Sequence, residues 1–259
     1  MLIKVTNHCA RGCSHCMESA TIKGRHMPLE MFDRALDCSD RVEATARQLG
    51  YPLILLSGGE CTDHPDFELL VEKVLERDLM PMVLSHGMWL ADAEKRASLL
   101  RPEWKTVRYQ ITYDPRFYPG GPPHKVTDNR VLYVDSLSRM LPIGRFKGQE
   151  HAEVDTRIGP TSFNFRSMTR AFGDVRAAIA QLRIRAMQGA SGHCSPSISA
   201  NGDFVAGESN ACFKVGTVDS TPEQITEAVL SMGSCNRCGL EAKLPQEHQR
   251  AIGVRGGDG

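Results

Sequence analysis

Apolar residues along this chain gather in short unbroken runs, and between the runs they recur every three or four positions. The run at 53–56 has the length and continuity of a strand buried on both faces, and residues 2–5, 80–84 and 107–111 read as further strands. Behind Pro28, the spacing of Phe32, Leu36, Val42, Ala46 and Leu49 predicts one helix that Gly50 ends. A second helix, opened by Asp63 or Pro65, carries Phe67, Leu70, Val71, Val74 and Leu75 on one face, and a polar helix lies near 91–100. Alternation of this kind predicts an α/β fold of parallel strands with right-handed crossovers, whose functional residues collect at the carboxyl ends of the strands. Residues 120–159 mix glycine, proline and charge and read as a long loop, with a strand resuming at 131–134. The arginines from Arg166 to Arg185 spread along a helix-like run and are expected on a solvated face. Within 198–205, Asn201-Gly202 predicts a hairpin with a type I′ turn.

At 259 residues the chain can bury a full core as one domain, or as one domain with an appendage. Lysine plus arginine and aspartate plus glutamate number 31 each, so no net field favours nucleic acid or an anionic membrane. No apolar run approaches a membrane span, and the first residues lack the pattern of an export signal. Nine cysteines in such a chain point to metal binding in a reducing compartment, the cytoplasm, and not to disulfides.

Candidate chemistry begins with Cys9, Cys13 and Cys16, in C-x3-C-x2-C spacing on a loop after the first strand. Three thiolates held that closely can take three corners of a [4Fe–4S] cube, leaving one iron open to a substrate or cofactor. A structural zinc site is the competing reading, with His8 or His15 as a fourth ligand. One helix and one strand later, Ser57-Gly58-Gly59-Glu60 follows the run at 53–56. Two glycines there let the backbone approach a ligand closely, and the carboxylate beside them can accept hydrogen bonds from an ammonium group.

With both elements present, the chain resembles the radical S-adenosylmethionine (radical SAM) enzymes, matching their cysteine triad and their Gly-Gly-Glu element. The resemblance implies a partial (β/α)6 barrel of the TIM type. It implies a [4Fe–4S] cluster on Cys9, Cys13 and Cys16 that chelates S-adenosylmethionine, with Ser57, Gly58, Gly59 and Glu60 holding the cofactor's amino end. It also implies reductive cleavage of the cofactor to methionine and a 5′-deoxyadenosyl radical, with electrons from an external reductant such as flavodoxin or ferredoxin. The radical then takes a hydrogen atom from the substrate. His15 stands where relatives carry an aromatic side chain near the adenine, and Ser85 and His86 stand where they carry a polar residue near the cofactor.

Cys61 departs from the pattern, since proline is common there; it is read either as a hydrogen-atom donor or as a tolerated thiol. Cys38, inside the first helix, reads as a small buried residue. After the fourth strand, Tyr113 or Tyr118 can relay a proton and Arg116 can clamp a carboxylate or phosphate, although Asp114-Pro115-Arg116 also suits an ordinary turn.

Cys194, Cys212, Cys235 and Cys238 lie in a glycine- and serine-rich stretch that buries little apolar surface by itself, the composition of a metal-stapled appendage. Their order resembles the auxiliary-cluster extension (twitch or SPASM-like) of radical SAM enzymes, which holds a second [4Fe–4S] cluster; structural zinc satisfies four cysteines equally well. The expected division is a barrel core at 1–186, an auxiliary iron–sulfur domain at 187–245 and a tail at 246–259.

Two substrate classes follow: a residue of a ribosomally made peptide, to be oxidised or crosslinked, or a small metabolite such as an aminocyclitol or sugar, to be dehydrogenated. The cysteine-bearing segments run from Cys9 to near Leu244 and leave no stretch for a separate peptide-recognition domain, which weighs against the first. A non-enzymatic iron–sulfur electron carrier is a third reading, opposed by the open iron and the element at 57–60.

Overall fold

The computed structural model of the chain describes residues 1–113, 124–135, 145, 163–188, 192–233 and 235. Arg116, Tyr118, Cys238 and the tail at 246–259 lie outside the described residues. Strands β1 (Leu2–Thr6), β2 (Leu53–Gly58), β3 (Met80–Ser85), β4 (Arg108–Tyr113) and β5 (Val131–Asp135) lie side by side and parallel, in chain order. The pleat sorts their side chains. Ile3, Val5, Ile54, Leu56, Val83, Tyr109 and Ile111 belong to the buried core, while half-buried Leu55, Ser57, Met82, Leu84, Gln110 and Thr112 alternate with them on the opposite face.

Helices α1 (Leu29–Val42), α2 (Ala44–Gln48), α3 (Phe67–Leu75) and α4 (Ala93–Leu99) occupy the connections, with short 3-10 turns at Cys61–Asp63 and Met88–Ala91. The single helix expected behind Pro28 is two, parted at Glu43 (φ −99°, ψ 8°). The cause is the Glu43 side chain, drawn fully into the interior. Its Oε2 accepts from the Met1 amino group (2.7 Å), the Ser39 hydroxyl (3.1 Å) and Arg47 Nη2 (3.1 Å). Gly50, left-handed at φ 80°, ends α2 as expected.

Past β5 come β6 (Phe163–Asn164), α5 (Phe165–Phe172) and α6 (Val175–Met187). Asn164 caps α5 by accepting from Ser167 N (2.7 Å), and Asp174 caps α6 by accepting from Arg176 N (2.6 Å). The arginines expected on a solvated face divide: Arg166 and Arg183 are only 4% and 7% exposed. Each guanidinium has an acceptor in the interior. Arg183 Nε and Nη2 donate to Glu43 Oε1 (3.0 and 2.9 Å), and Arg166 Nη2 donates to the Met232 carbonyl (2.9 Å).

The remaining elements are β7 (Gly192–His193), which pairs with β6, then β8 (Ser197–Ile198), β9 (Asp203–Val205), β10 (Lys214–Thr217) and α7 (Pro222–Ser231). Strand β8 pairs parallel with β1, giving the order β10-β9-β8-β1-β2-β3-β4-β5. Among the described residues, the strand that extends the parallel run beyond β1 is thus β8. Ile198, Phe204, Val215, Val218, Ile225 and Val229 enter the same core as the first strands. The β8–β9 hairpin forms, but not with a type I′ turn. Only Gly202 is left-handed (φ 79°); its N–H reaches Ser199 O (2.9 Å), and Ser199 N reaches Asp203 O (2.8 Å). A type I′ turn needs positive φ at both central residues, whereas a three-residue loop needs only the one glycine. No helix among the described residues is long and apolar enough to cross a membrane.

Candidate functional site

Parallel pairing brings the carboxyl ends of the strands to one edge: Cys9 follows β1, Glu60 follows β2, His86 follows β3, and Tyr113, half-buried, ends β4. The cysteine loop leaves and rejoins β1. Asn7 N donates to Arg25 O (2.8 Å), Cys9 N to Thr21 O (3.0 Å) and Met27 N to Val5 O (2.8 Å). Inside it, Gly12 takes φ 59° and Cys16 N reaches Cys13 O at 3.3 Å. Cys9 is buried and Cys13 and Cys16 are half-buried, none in a disulfide, with His15 half-buried between the last two. Burial pushes the Cys9 thiol up, and Glu60 and the thiols of Cys13 and Cys16 add to the rise against a backbone hydrogen bond from Arg11. A bound metal centre supplies what such a thiol needs to ionise. From far along the chain, Arg145 clamps the loop: its N–H meets Cys16 O (3.0 Å), Nε meets Cys13 O (3.0 Å) and Nη1 meets Ala20 O (2.7 Å).

The two glycines after β2 serve a closer neighbour than a ligand. A Cβ on Gly58 (φ 139°) would lie 2.2 Å from Thr6 O, and one on Gly59 would lie 2.1 Å from His8 O. Gly59 N donates to Thr6 O (2.8 Å) and Glu60 N to His8 O (2.9 Å). The approach they permit is to the chain's own backbone beside Cys9, so Glu60 and the cysteine loop are joined through main-chain bonds. Residues 3–113 match the family model of the radical SAM superfamily.

Residues 3–113 form a radical SAM domain. The matched span runs from β1 to the end of β4 and contains the cysteine loop, Glu60 and His86. Such a domain implies S-adenosylmethionine and one [4Fe–4S] cluster. No curated protein matches the chain in sequence. The donor set suits the cluster, since a cube takes one thiolate per iron. Among the described residues, no three His, Cys, Asp or Glu side chains converge on a single metal ion.

In the radical SAM domain Glu60 is 1% exposed and bonded at both oxygens. Oε1 accepts from Thr62 N (3.2 Å) and Oγ1 (2.7 Å), and Oε2 from the backbone N–H (3.0 Å) and Nε2 (3.1 Å) of His86. Met88 N donates to His86 Nδ1 (3.1 Å), which leaves the ring proton on Nε2. Burial lowers the His86 pKa, with the Glu60 carboxylate opposing, so the ring is neutral. Ser85, expected to contact the cofactor, is buried; its Oγ accepts from Gly87 N (2.9 Å) and Trp89 Nε1 (3.0 Å) and shapes the turn that presents His86. Cys61 is fully enclosed. Its Sγ donates to Leu84 O (3.3 Å), and burial raises the thiol well above its ordinary pKa.

Cys194 (φ 56°), Cys212 and Cys235 are half-buried, and the Cys212 sulfur sits where a Cβ on Gly207 would lie 2.5 Å from it. Sequence reasoning missed several groups around the domain's edge. Lys4, 1% exposed, pairs with Glu18 at 2.7 Å. The signal was a lysine inside the apolar run at 2–5, which calls for a buried acceptor. The His26 ring lies tilted against His8 (centroids 5.1 Å apart) and edge-on to His64 (5.0 Å), and Arg145 had no local signal at all.

Proposed function

We propose that this radical SAM protein oxidises or crosslinks a residue of a ribosomally made peptide, and that Cys194, Cys212, Cys235 and Cys238 hold an auxiliary [4Fe–4S] cluster. When bound, the first cluster and S-adenosylmethionine supply the radical that removes a hydrogen atom from the substrate. Cys9, Cys13 and Cys16 would hold three of that cluster's irons. The Glu60 carboxylate, aimed by Thr62 and His86, attracts an ammonium group at the same edge. On the sheet face of Ser57, half-buried Leu55, Met82, Leu84, Gln110 and Thr112 offer a mixed surface on which a substrate can displace water.

One observation carries the two-cluster reading: the loop before Cys212 is hydrogen-bonded to the loop of Cys16, Asn210 N to Glu18 Oε2 at 3.3 Å. A second iron–sulfur centre so close can take the electron left on an oxidised substrate, and an external reductant such as flavodoxin or ferredoxin primes the first. Anaerobic loading with iron and sulfide should give about eight irons per chain, four for each cube. Dithionite and S-adenosylmethionine should then give 5′-deoxyadenosine, and a triple alanine variant of Cys9, Cys13 and Cys16 should give none. Stoichiometric zinc with iron for one cube would overturn the second cluster. Loss of two hydrogens from an aminocyclitol or sugar, with peptides untouched, would replace the maturase reading by the dehydrogenase.

A further inference from the structure

Glu18 lies two residues after Cys16, and Asn210 lies two residues before Cys212. The Glu18 carboxylate joins them: Oε1 accepts the Lys4 ammonium at 2.7 Å, and Oε2 accepts the backbone N–H of Asn210 at 3.3 Å. Asn210 Nδ2 then donates to Asn7 Oδ1 (3.1 Å), and the Ser209 hydroxyl donates to Met17 O (3.4 Å). Lys4 and Ser209 are 1% and 2% exposed, and Glu18 and Asn210 are half-buried, so the junction is partly shielded from water, where charge-assisted hydrogen bonds hold best. Two residues span at most about 7 Å of chain, which ties the Cα atoms of both Cys16 and Cys212 closely to this one carboxylate.

We propose that Glu18 is a positioning residue: held by Lys4, it locks the Cys212 loop onto the N-terminal cysteine loop, so that the two sets of thiols open and close as one unit. The inference rests on the reading of Cys9, Cys13 and Cys16 as the cluster site, and it holds whether or not the second set carries a cluster. Lys4 itself cannot serve as a mobile surface charge. Among the described residues its carboxylate partner is the group that carries the loop contact, so removing the Glu18 charge alone leaves Lys4 buried and unpaired.

The test uses the full-length protein, metal-free and anaerobic, with alkylation of each cysteine by iodoacetamide followed by mass spectrometry. K4M/E18L removes the buried Lys4 charge together with its half-buried partner at similar volume, so the fold should survive. S209A/N210A cuts the two side-chain links and leaves the charge pair in place. In each folded variant Cys16 and Cys212 should both react about tenfold faster, the change that loss of such hydrogen bonds makes in a local opening equilibrium. Glu18→Asp keeps the charge and an acceptor oxygen for each donor and should restore part of the protection. After loading with iron and sulfide, S-adenosylmethionine should alter the electron paramagnetic resonance signal less in K4M/E18L than in the wild type or Glu18→Asp. Unchanged alkylation in folded K4M/E18L, or a rise at Cys212 with none at Cys16, overturns the proposal. Coupled alkylation in a protein that binds only four irons would leave it standing while the second-cluster reading fell.

Discussion

His86 meets Glu60 twice: its ring Nε2 lies 3.1 Å from Glu60 Oε2, and its backbone N–H lies 3.0 Å from the same oxygen. The first contact fixes the direction of the carboxylate and the second fixes the turn after β3 to the end of β2. Because the imidazole is neutral, the pair keeps a net negative charge at the edge where the cysteine loop also ends. A carboxylate so oriented can hold an ammonium group without first having to be ordered.

Replacing Glu60 by Gln should therefore separate two roles. The amide must turn an NH2 group toward the donors of Thr62 or His86, which costs about 1–3 kcal/mol of stability by the loss of satisfied buried bonds. With the charge gone, S-adenosylmethionine affinity in equilibrium dialysis should fall by about tenfold or more. Wild-type affinity in a folded Glu60→Gln protein would remove this carboxylate from the cofactor's site.

Acid should weaken the fold through its buried histidines. Burial lowers the pKa of His86 and His64, and burial with the neighbouring His64 and His8 rings lowers that of His26. Their folded values lie below the ordinary value of about 6.5. On acidification the unfolded chain binds the proton first, so stability falls as pH drops through about 6.5 and is fully present above it. The urea midpoint should be lower at pH 5.5 than at pH 7.5, and His26→Gln should flatten the difference. A midpoint that does not move across this range would contradict the assignment.

Glu43 works in the other sense. Its burial alone would raise the carboxyl, but the Met1 amino group, Arg183 and Arg47 prevail and hold it down at about 2. Its contribution is complete above the unfolded value of about 4.3 and is lost as pH falls toward the folded one. Glu43→Gln leaves Arg183 buried beside a neutral amide and should cost about 3–5 kcal/mol in denaturant unfolding. Joint replacement by E43L/R183M should cost less than that single change, since neither of the two charges is then stranded. A larger loss in the double variant would show that the pair is not the source of the effect.

Gly59→Ala tests the joint between the glycine element and the cysteine loop. The new Cβ must displace the His8 carbonyl, 2.1 Å away, and with it the residue before Cys9. Iron uptake and thermal stability should fall together. Gly50→Ala is the contrast: φ is 80° there with no atom within 4 Å of the added carbon, so strain of about 1–2 kcal/mol is expected with iron uptake intact. Full iron loading in Gly59→Ala would mean that the loop does not depend on this contact.

Local chemistry was legible in the residues themselves. The runs at 53–56, 80–84 and 107–111 are β2, β3 and β4 to within two residues at each end, and Pro28, Gly50 and the helix around Val71 fell where turn and periodicity rules put them. The triad at Cys9, Cys13 and Cys16 and the element at 57–60 could be recognised because their meaning lies in spacing along the chain. What periodicity could not express was pairing between distant residues. Arg183 looks like any surface arginine until Glu43, 140 residues away, is folded against it. Asn201-Gly202 announced the hairpin of β8 and β9, but that the two-residue β8 also joins the β1 edge was decided by the backbone partners there. Glycines 58 and 59 signalled a close approach, but only the register of β1 against β2 decided that the neighbour was the chain's own backbone. Spacing along the chain is enough to specify a ligand set; which buried charges meet, and which loop closes over that set, depends on contacts that arise only when the sheet assembles.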